Sequence, residues 1–225
     1  MPDPILVADS ATKAYADLVA LAPLDLTVPA GQMVALVGHN GSGKSTFLRL
    51  ASGLLDLSAG AITVAGAPAG TPDARAAVSF LPDEPVLYDD LSVREHLAYV
   101  AALHGVDLSG DDLEELIEVV GLAARADDLP SQLSRGLRQR TSIALGLVRP
   151  FQLLLVDEPF VGLDAGGKRA LLGILDELHA DGAAIVVATH DPSFVERVQR
   201  CVALRDGEVV HDGPATTDDV LRFVS

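Results

Sequence analysis

The run Gly38-His39-Asn40-Gly41-Ser42-Gly43-Lys44-Ser45 lies between an apolar stretch, Met33 to Val37, and a helix-like one, Thr46 to Ala51. Strand, glycine loop and helix are thereby joined in one unit, and few architectures accept that order. Glycines at 38, 41 and 43 tolerate the positive φ angles that let a turning chain aim several backbone N–H groups at a single anion. The helix that follows adds the positive end of its dipole. Lys44 can reach β- and γ-phosphates as a mobile point charge, and the Ser45 hydroxyl can ligate Mg²⁺. With His39, Asn40, Ser42 and Thr46 completing the loop and first turn, the pattern predicts a cradle for a nucleoside triphosphate.

Composition narrows what surrounds such a cradle. A chain of 225 residues accommodates one nucleotide-binding domain with an inserted lobe. The net charge is −16, from 32 acidic and 16 basic residues, and only Lys13, Lys44 and Lys168 are lysine. Nucleic-acid affinity depends on phosphate neutralisation, so no nucleic-acid partner is expected. Cys201 is the single cysteine, which excludes an internal disulfide and a structural zinc and suits a reducing cytosol. Met1 to Ser10 carries no basic start followed by an apolar core, so no export signal is expected. Apolar runs such as Leu153 to Val156 and Ile185 to Ala188 fall far short of the roughly 20 residues a spanning helix needs.

Along the chain, Pro4 to Ala8 and Val19 to Val28 read as strands of a small β layer, with Pro29-Ala30-Gly31 turning into the Met33 strand. Gly60 to Val64 and Ala77 to Leu81 read as further short strands. Helical spacing then takes over. Ser92 to His104 opens with a serine three residues before Glu95, a capping-box arrangement, Asp111 to Val120 repeats the pattern, and Ser134 to Val148 ends at Arg149-Pro150. Residues 84–150 are thus expected to be an all-helical insertion between core segments 1–83 and 151–225. Past Phe151, apolar strands at Leu153 to Val156 and Ile185 to Ala188 alternate with helices at Ala165 to Ala180 and Pro192 to Val198, which argues for a parallel sheet covered on both faces. Cys201 to Arg205 and Glu208 to His211 form a hairpin around Asp206-Gly207, and Thr216 to Val224 closes with a helix.

Leu153 to Val156 leads into Asp157 and Glu158, two carboxylates at the carboxyl end of a buried strand, where open α/β sheets bind ligands. Asp157 is placed to hold Mg²⁺, directly or through water, and Glu158 to polarise an attacking water as general base.

Leu133-Ser134-Arg135-Gly136-Leu137-Arg138-Gln139-Arg140 resembles the signature motif of ATP-binding cassette (ABC) ATPases. The order of the remaining parts strengthens the likeness. Tyr15 stands where the family has an adenine-stacking aromatic, Asp83 where its Q-loop has glutamine, Gly162-Leu163-Asp164 at its D-loop, and Thr189-His190-Asp191 at its switch histidine. The resemblance implies an α/β P-loop NTPase (RecA-like) fold, with a parallel-sheet core, an N-terminal antiparallel β layer and an all-helical inserted subdomain. It further implies that Ser134, Arg135 and Gly136 face ATP held by the opposite subunit, that His190 hydrogen-bonds the γ-phosphate, and that Asp83 contributes to Mg²⁺. The sequence departs from the family at Arg135, Leu137 and Asp83.

What the resemblance implies for function is an ATP-hydrolysing subunit that pairs, as a homodimer or with another ABC ATPase, around two ATP. Its motion would pass to a separate transmembrane permease at the cytoplasmic face of the cell membrane. The subfamily it looks most like is that of ABC-2-type exporters. Two rivals are a soluble ABC ATPase serving a non-transport complex, and a regulatory module with negligible turnover.

Overall fold

In the computed structural model, which describes residues 3–224, the apolar runs become the strands of two sheets. In chain order the elements are β1 (Pro4–Tyr15), β2 (Leu18–Pro29), β3 (Met33–Val37), α1 (Lys44–Ala51), β4 (Ala59–Val64), β5 (Ala67–Pro68), α2 (Pro72–Ala77) and β6 (Val78–Leu81). Then come α3 (Val93–Leu103), α4 (Gly110–Val119), α5 (Arg135–Leu147), β7 (Leu153–Asp157), α6 (Ala165–Ala180), β8 (Ala184–Ala188), β9 (Arg200–Arg205), β10 (Glu208–Gly213) and α7 (Thr217–Val224).

One compact unit comprises residues 3–80, 151–159 and 178–224. Its larger sheet runs β10-β9-β3-β8-β7-β6, and β3 pairs parallel with both β8 and β9 while β7 pairs parallel with β8. Every residue of β3, β7 and β8 is buried. A strand covered on both faces has no use for polar alternation, which is why these three read as continuous apolar runs. Parallel pairing brings the carboxyl ends of β3, β7 and β8 to one edge, where Leu36 and Asp157 both pair with Ala188. Phe47, Leu48, Leu50 and Ala51 of α1 complete the core.

The smaller sheet, β2-β1-β4-β5, is antiparallel. The strand expected over Pro4 to Ala8 continues to Tyr15 because a bulge absorbs the polar Asp9-Ser10 step: Ser10 takes φ +48°, and its N–H donates to Asp25 Oδ1 at 2.6 Å. Gly60 meets that bulge so closely that a Cβ would stand 2.2 Å from Ser10 O. Two further differences from expectation are local. The segment Pro192–Arg197 is a 3₁₀ turn rather than an α-helix, begun by Asp191 Oδ1 accepting from Ser193 N, and α2 is a helix of six residues too short to show a period.

A second compact unit comprises residues 81–150 and 160–177. The capping box expected at Ser92 and Glu95 begins α3, and an equivalent pair, Ser109 and Asp112, begins α4. Leu97, Ile117, Leu122, Ile143 and Leu171 are buried here. His96 is the notable polar member at 1% exposure: Tyr88 N donates to its Nε2 at 2.8 Å, so the ring proton sits on Nδ1 and is donated to Ser92 O at 2.7 Å. One imidazole thus ties the segment before α3 to the helix. Replacing His96 by Ala strands both backbone groups and opens a cavity, and a loss of about 2–4 kcal/mol is expected in chemical denaturation. An unchanged midpoint would mean that the segment is held by other contacts.

Candidate nucleotide-binding site

The glycine loop leaves β3 at Val37 and enters α1 at Lys44, with Gly41 at φ +85° and Gly43, the N-cap, at φ +105°. Gly38 has no room for a side chain, since a Cβ would lie 2.3 Å from Leu204 O and 2.4 Å from Ser42 Oγ. Ser42 N donates to His39 O at 3.1 Å and Phe47 N to Gly43 O at 2.9 Å, so the loop closes on itself before the helix starts. Asn40 and Gly41 are exposed, His39 is half-buried with Nδ1 2.8 Å from Asn40 O, and Ser45 and Thr46 are half-buried on the first turn of α1.

Lys44 is only 5% exposed. Its Nζ donates to Gly38 O at 2.8 Å and His39 O at 3.3 Å, and stands 3.5 Å from Glu158 Oε1. Glu158 follows β7 in a left-handed conformation, φ +46°, with its N–H donated to Ala188 O at 2.8 Å. That conformation is uncommon for a side chain of this size and clusters at functional sites. On the carboxylate's other side, Oε2 accepts from His190 N at 3.3 Å and lies 2.9 Å from His190 Nδ1. A carboxylate at that distance makes Nδ1 a donor to Glu158. Asp157, 1% exposed, is the last residue of β7.

Ser42 Oγ and Glu158 Oε1 are buried without a hydrogen-bond partner among the described residues. Buried polar atoms are ordinarily satisfied, so an open Ser42 hydroxyl beside a buried ammonium fits an anionic, hydrogen-bonding ligand, and the open Glu158 oxygen fits a donor such as water. The oxygen donors Ser45 and Asp157 fit Mg²⁺, which takes few protein ligands and completes its shell with phosphate and water. Among the described residues no cluster of three or more His, Cys, Asp or Glu forms an all-protein metal cage. Tyr15, 49% exposed at the end of β1, presents its ring with the Lys13 ammonium 4.9 Å from the centroid.

The helical unit holds the remaining candidates. Ser134 is the N-cap of α5, its Oγ accepting from Leu137 N at 3.3 Å. Arg135 is exposed, and Gly136 lies so near Gly162 that a Cβ would stand 2.8 Å from Gly162 O. Ser134, Gly136, Leu137 and Asp164 line part of a cavity of about 210 Å³. Asp164 Oδ1 accepts from Gly167 N at 2.7 Å and from Arg140 Nη2 at 3.0 Å. The Gly167 N–H, with Arg140 beside it, holds the Asp164 carboxyl below its ordinary range. Asp83 also belongs to this unit, and its Oδ1 is buried without a hydrogen-bond partner among the described residues.

The structure gathers the expected residues other than Tyr15 and Asp83 into two sets. Gly38 to Thr46, Asp157, Glu158 and His190 meet at one sheet edge, and Ser134, Arg135, Gly136 and Asp164 meet around the start of α5. Arg140, the last residue of the signature stretch, is paired. Its partner Asp164 is 24 positions away, beyond any local spacing rule.

A glycine cradle at the carboxyl edge of a parallel sheet, beside a strand ending in two carboxylates, defines a nucleotide-binding protein of the P-loop class. The family model described as ABC transporter matches residues 21–161, and this chain belongs to that family, as an ATPase. The macrolide export ATP-binding/permease protein MacB 1 of Aeromonas hydrophila subsp. hydrophila is 41% identical over 200 residues, covering 84% of this chain and 31% of that protein. A MacB of Rhodopseudomonas palustris (strain BisB18) is 37% identical over 211 residues, covering 90% of this chain and 32% of that one. The chain thus spans about a third of the length of the curated relatives it matches. Among solved structures, an ATP binding subunit of an ABC transporter superposes with TM-score 0.88 at 30% identity, covering 97% of this chain and 98% of that chain. A dimeric ATP-binding cassette in a post-hydrolysis state, bound to ADP and Pi, gives TM-score 0.85 at 26% identity, covering 93% of this chain and 98% of that chain.

Proposed function

We propose that this chain pairs head to tail, with a second copy or a related ABC ATPase, around two ATP, and that hydrolysis drives a separate membrane-spanning permease in export. The observation that carries the chemistry is one carboxylate, Glu158, held between the Lys44 ammonium and the His190 ring at the mouth of the glycine cradle. In this reading Lys44 and the loop N–H groups bind the β- and γ-phosphates, Glu158 draws a proton from water, and His190 orients both carboxylate and γ-phosphate. Mg²⁺, when bound, neutralises phosphate charge from ligands that include Ser45 and Asp157, with Asp83 at the Q-loop position. Tyr15 stacks on adenine. Ser134, Arg135 and Gly136 close over the ATP of the opposite subunit, the positive end of α5 facing the γ-phosphate, with Asp164 at the D-loop position.

Pairing is supported by the dimeric state of the similar cassette bound to ADP and Pi, and a membrane partner by relatives whose names join ATP binding to a permease. Among the described residues no helix is long and apolar enough to cross a membrane. In this reading the chain works at the cytoplasmic face, held there by its partner. The test is capture of the tagged chain from detergent-solubilised cells, followed by ATPase assay of the purified complex. A polytopic membrane protein that stimulates phosphate release supports transport. A purely soluble complex supports the non-transport rival and overturns this reading.

A further inference from the structure

The turn between β9 and β10 consists of Asp206 and Gly207, both left-handed, at φ +51° and +82°. Its peptide groups do more than reverse the chain. Gly207 N donates to Ser42 O at 3.0 Å, and Gly207 O accepts from Ala22 N at 2.9 Å. A Cβ on Gly207 would stand 3.1 Å from Ala22 N, 3.2 Å from Ala20 O and 3.2 Å from Leu21 Cα, all backbone. The loop's own Gly43 meets the same crossing, where a Cβ would lie 3.0 Å from Ala20 O and 3.5 Å from Gly207 Cα. At the loop's other end, Gly38 abuts Leu204 O, from the strand that leads into the turn. Asp206 Oδ1 also stands 3.5 Å from His39 Nε2.

We infer that the Asp206-Gly207 turn is a positioning element for the phosphate cradle. It holds the Ser42 carbonyl outward, and with it fixes the direction in which the following loop N–H groups point. Both glycine ends of the loop rest on this hairpin or on β2, so the loop's shape is set from outside the loop. A hydrogen-bond array aimed in advance binds its anion without first ordering itself, and the hairpin supplies that preorganisation without touching the ligand. The inference rests on reading Gly38 to Thr46 as the ATP-binding loop.

A matched turn makes the test selective. Ala65-Gly66, between β4 and β5, has the same left-handed pair at φ +50° and +77°, but a Cβ on Gly66 would have nothing within 4 Å. Alanine at Gly66 and at Gly207 imposes comparable backbone strain, and only Gly207 touches the cradle. In the full chain, Gly207→Ala should weaken ATP binding about tenfold, equivalent to ~1.4 kcal/mol, with kcat at saturating ATP within about twofold of the unsubstituted chain. Gly66→Ala should lower the melting temperature and leave ATP affinity alone. Unaltered ATP affinity in Gly207→Ala, alongside lost affinity in Lys44→Ala, overturns the inference and spares the cradle reading. Unaltered affinity in Lys44→Ala overturns both. Should Gly207→Ala not fold, hydrogen exchange of the unsubstituted chain decides: a non-hydrolysable ATP analogue should slow exchange in residues 204–208 together with the loop. Indifference of 204–208 to that analogue overturns the inference.

Discussion

Glu158→Gln is expected to cut steady-state phosphate release by about 10²- to 10⁴-fold, the range over which a positioned general base contributes, while ATP affinity stays within a few fold. Glutamine preserves the volume of the side chain and leaves the main-chain bond from residue 158 N to Ala188 O untouched. What changes is chemical. The carboxylate offers one oxygen to Lys44 and the other to His190, and an amide has a single carbonyl oxygen for the two. It also has no basic lone pair with which to accept a proton from water. The substitution therefore separates binding from chemistry, and the paired, ATP-loaded state should accumulate, visible as a doubled mass in light scattering with ATP and absent without it. Phosphate release at the unsubstituted rate would remove Glu158 from the reaction.

The α/β core was legible in the sequence wherever one local rule sufficed. Leu153 to Val156 and Ile185 to Ala188 announce strands buried on both faces, and Ala165 to Ala180 has the helical bounds expected of it. Serine before Glu95 announces the start of α3. The glycine spacing of 38, 41 and 43 announces the loop because positive φ is a property of the residue itself. The α2 helix went unread although Thr71-Pro72-Asp73 carries a cap, a proline and an acid in the right order, since Thr71 Oγ1 does accept from Ala74 N at 3.4 Å. Six residues hold too little period for that signal to stand out.

Relations made by the fold were not legible. Nothing in Asp206-Gly207 beyond its hairpin chemistry says that the turn carries the Ser42 carbonyl, because 165 positions separate Gly207 from Ser42. Neither does the Arg140 to Asp164 pair leave any trace in local spacing. The left-handed backbone of Glu158 is likewise a product of packing: residue type favours the ordinary region there, and the bond to Ala188 O holds the chain against that preference. Motif reading reaches residues that gather at the sheet edge, and misses those that hold such residues in place.

Lys44→Ala should weaken ATP binding by about two orders of magnitude in titration calorimetry, the scale of two charge-assisted hydrogen bonds at roughly 1.5 kcal/mol each. The ammonium is buried, so its charge acts in surroundings that screen it far less than water would. Alanine removes the buried ammonium that faces the loop carbonyls of Gly38 and His39, and leaves Glu158 Oε1 without that opposite charge at 3.5 Å. An incoming triphosphate then meets a carboxylate that no ammonium offsets, and loss of attraction and gain of repulsion add. The same stranded groups should cost about 1–3 kcal/mol of folding stability, so a denaturation curve must accompany the calorimetry. Lys44→Arg should not rescue, because a planar fork cannot occupy the place of a compact point charge between two loop carbonyls and a carboxylate. ATP affinity equal to that of the unsubstituted chain, in a folded Lys44→Ala protein, would show that phosphate does not sit in this loop.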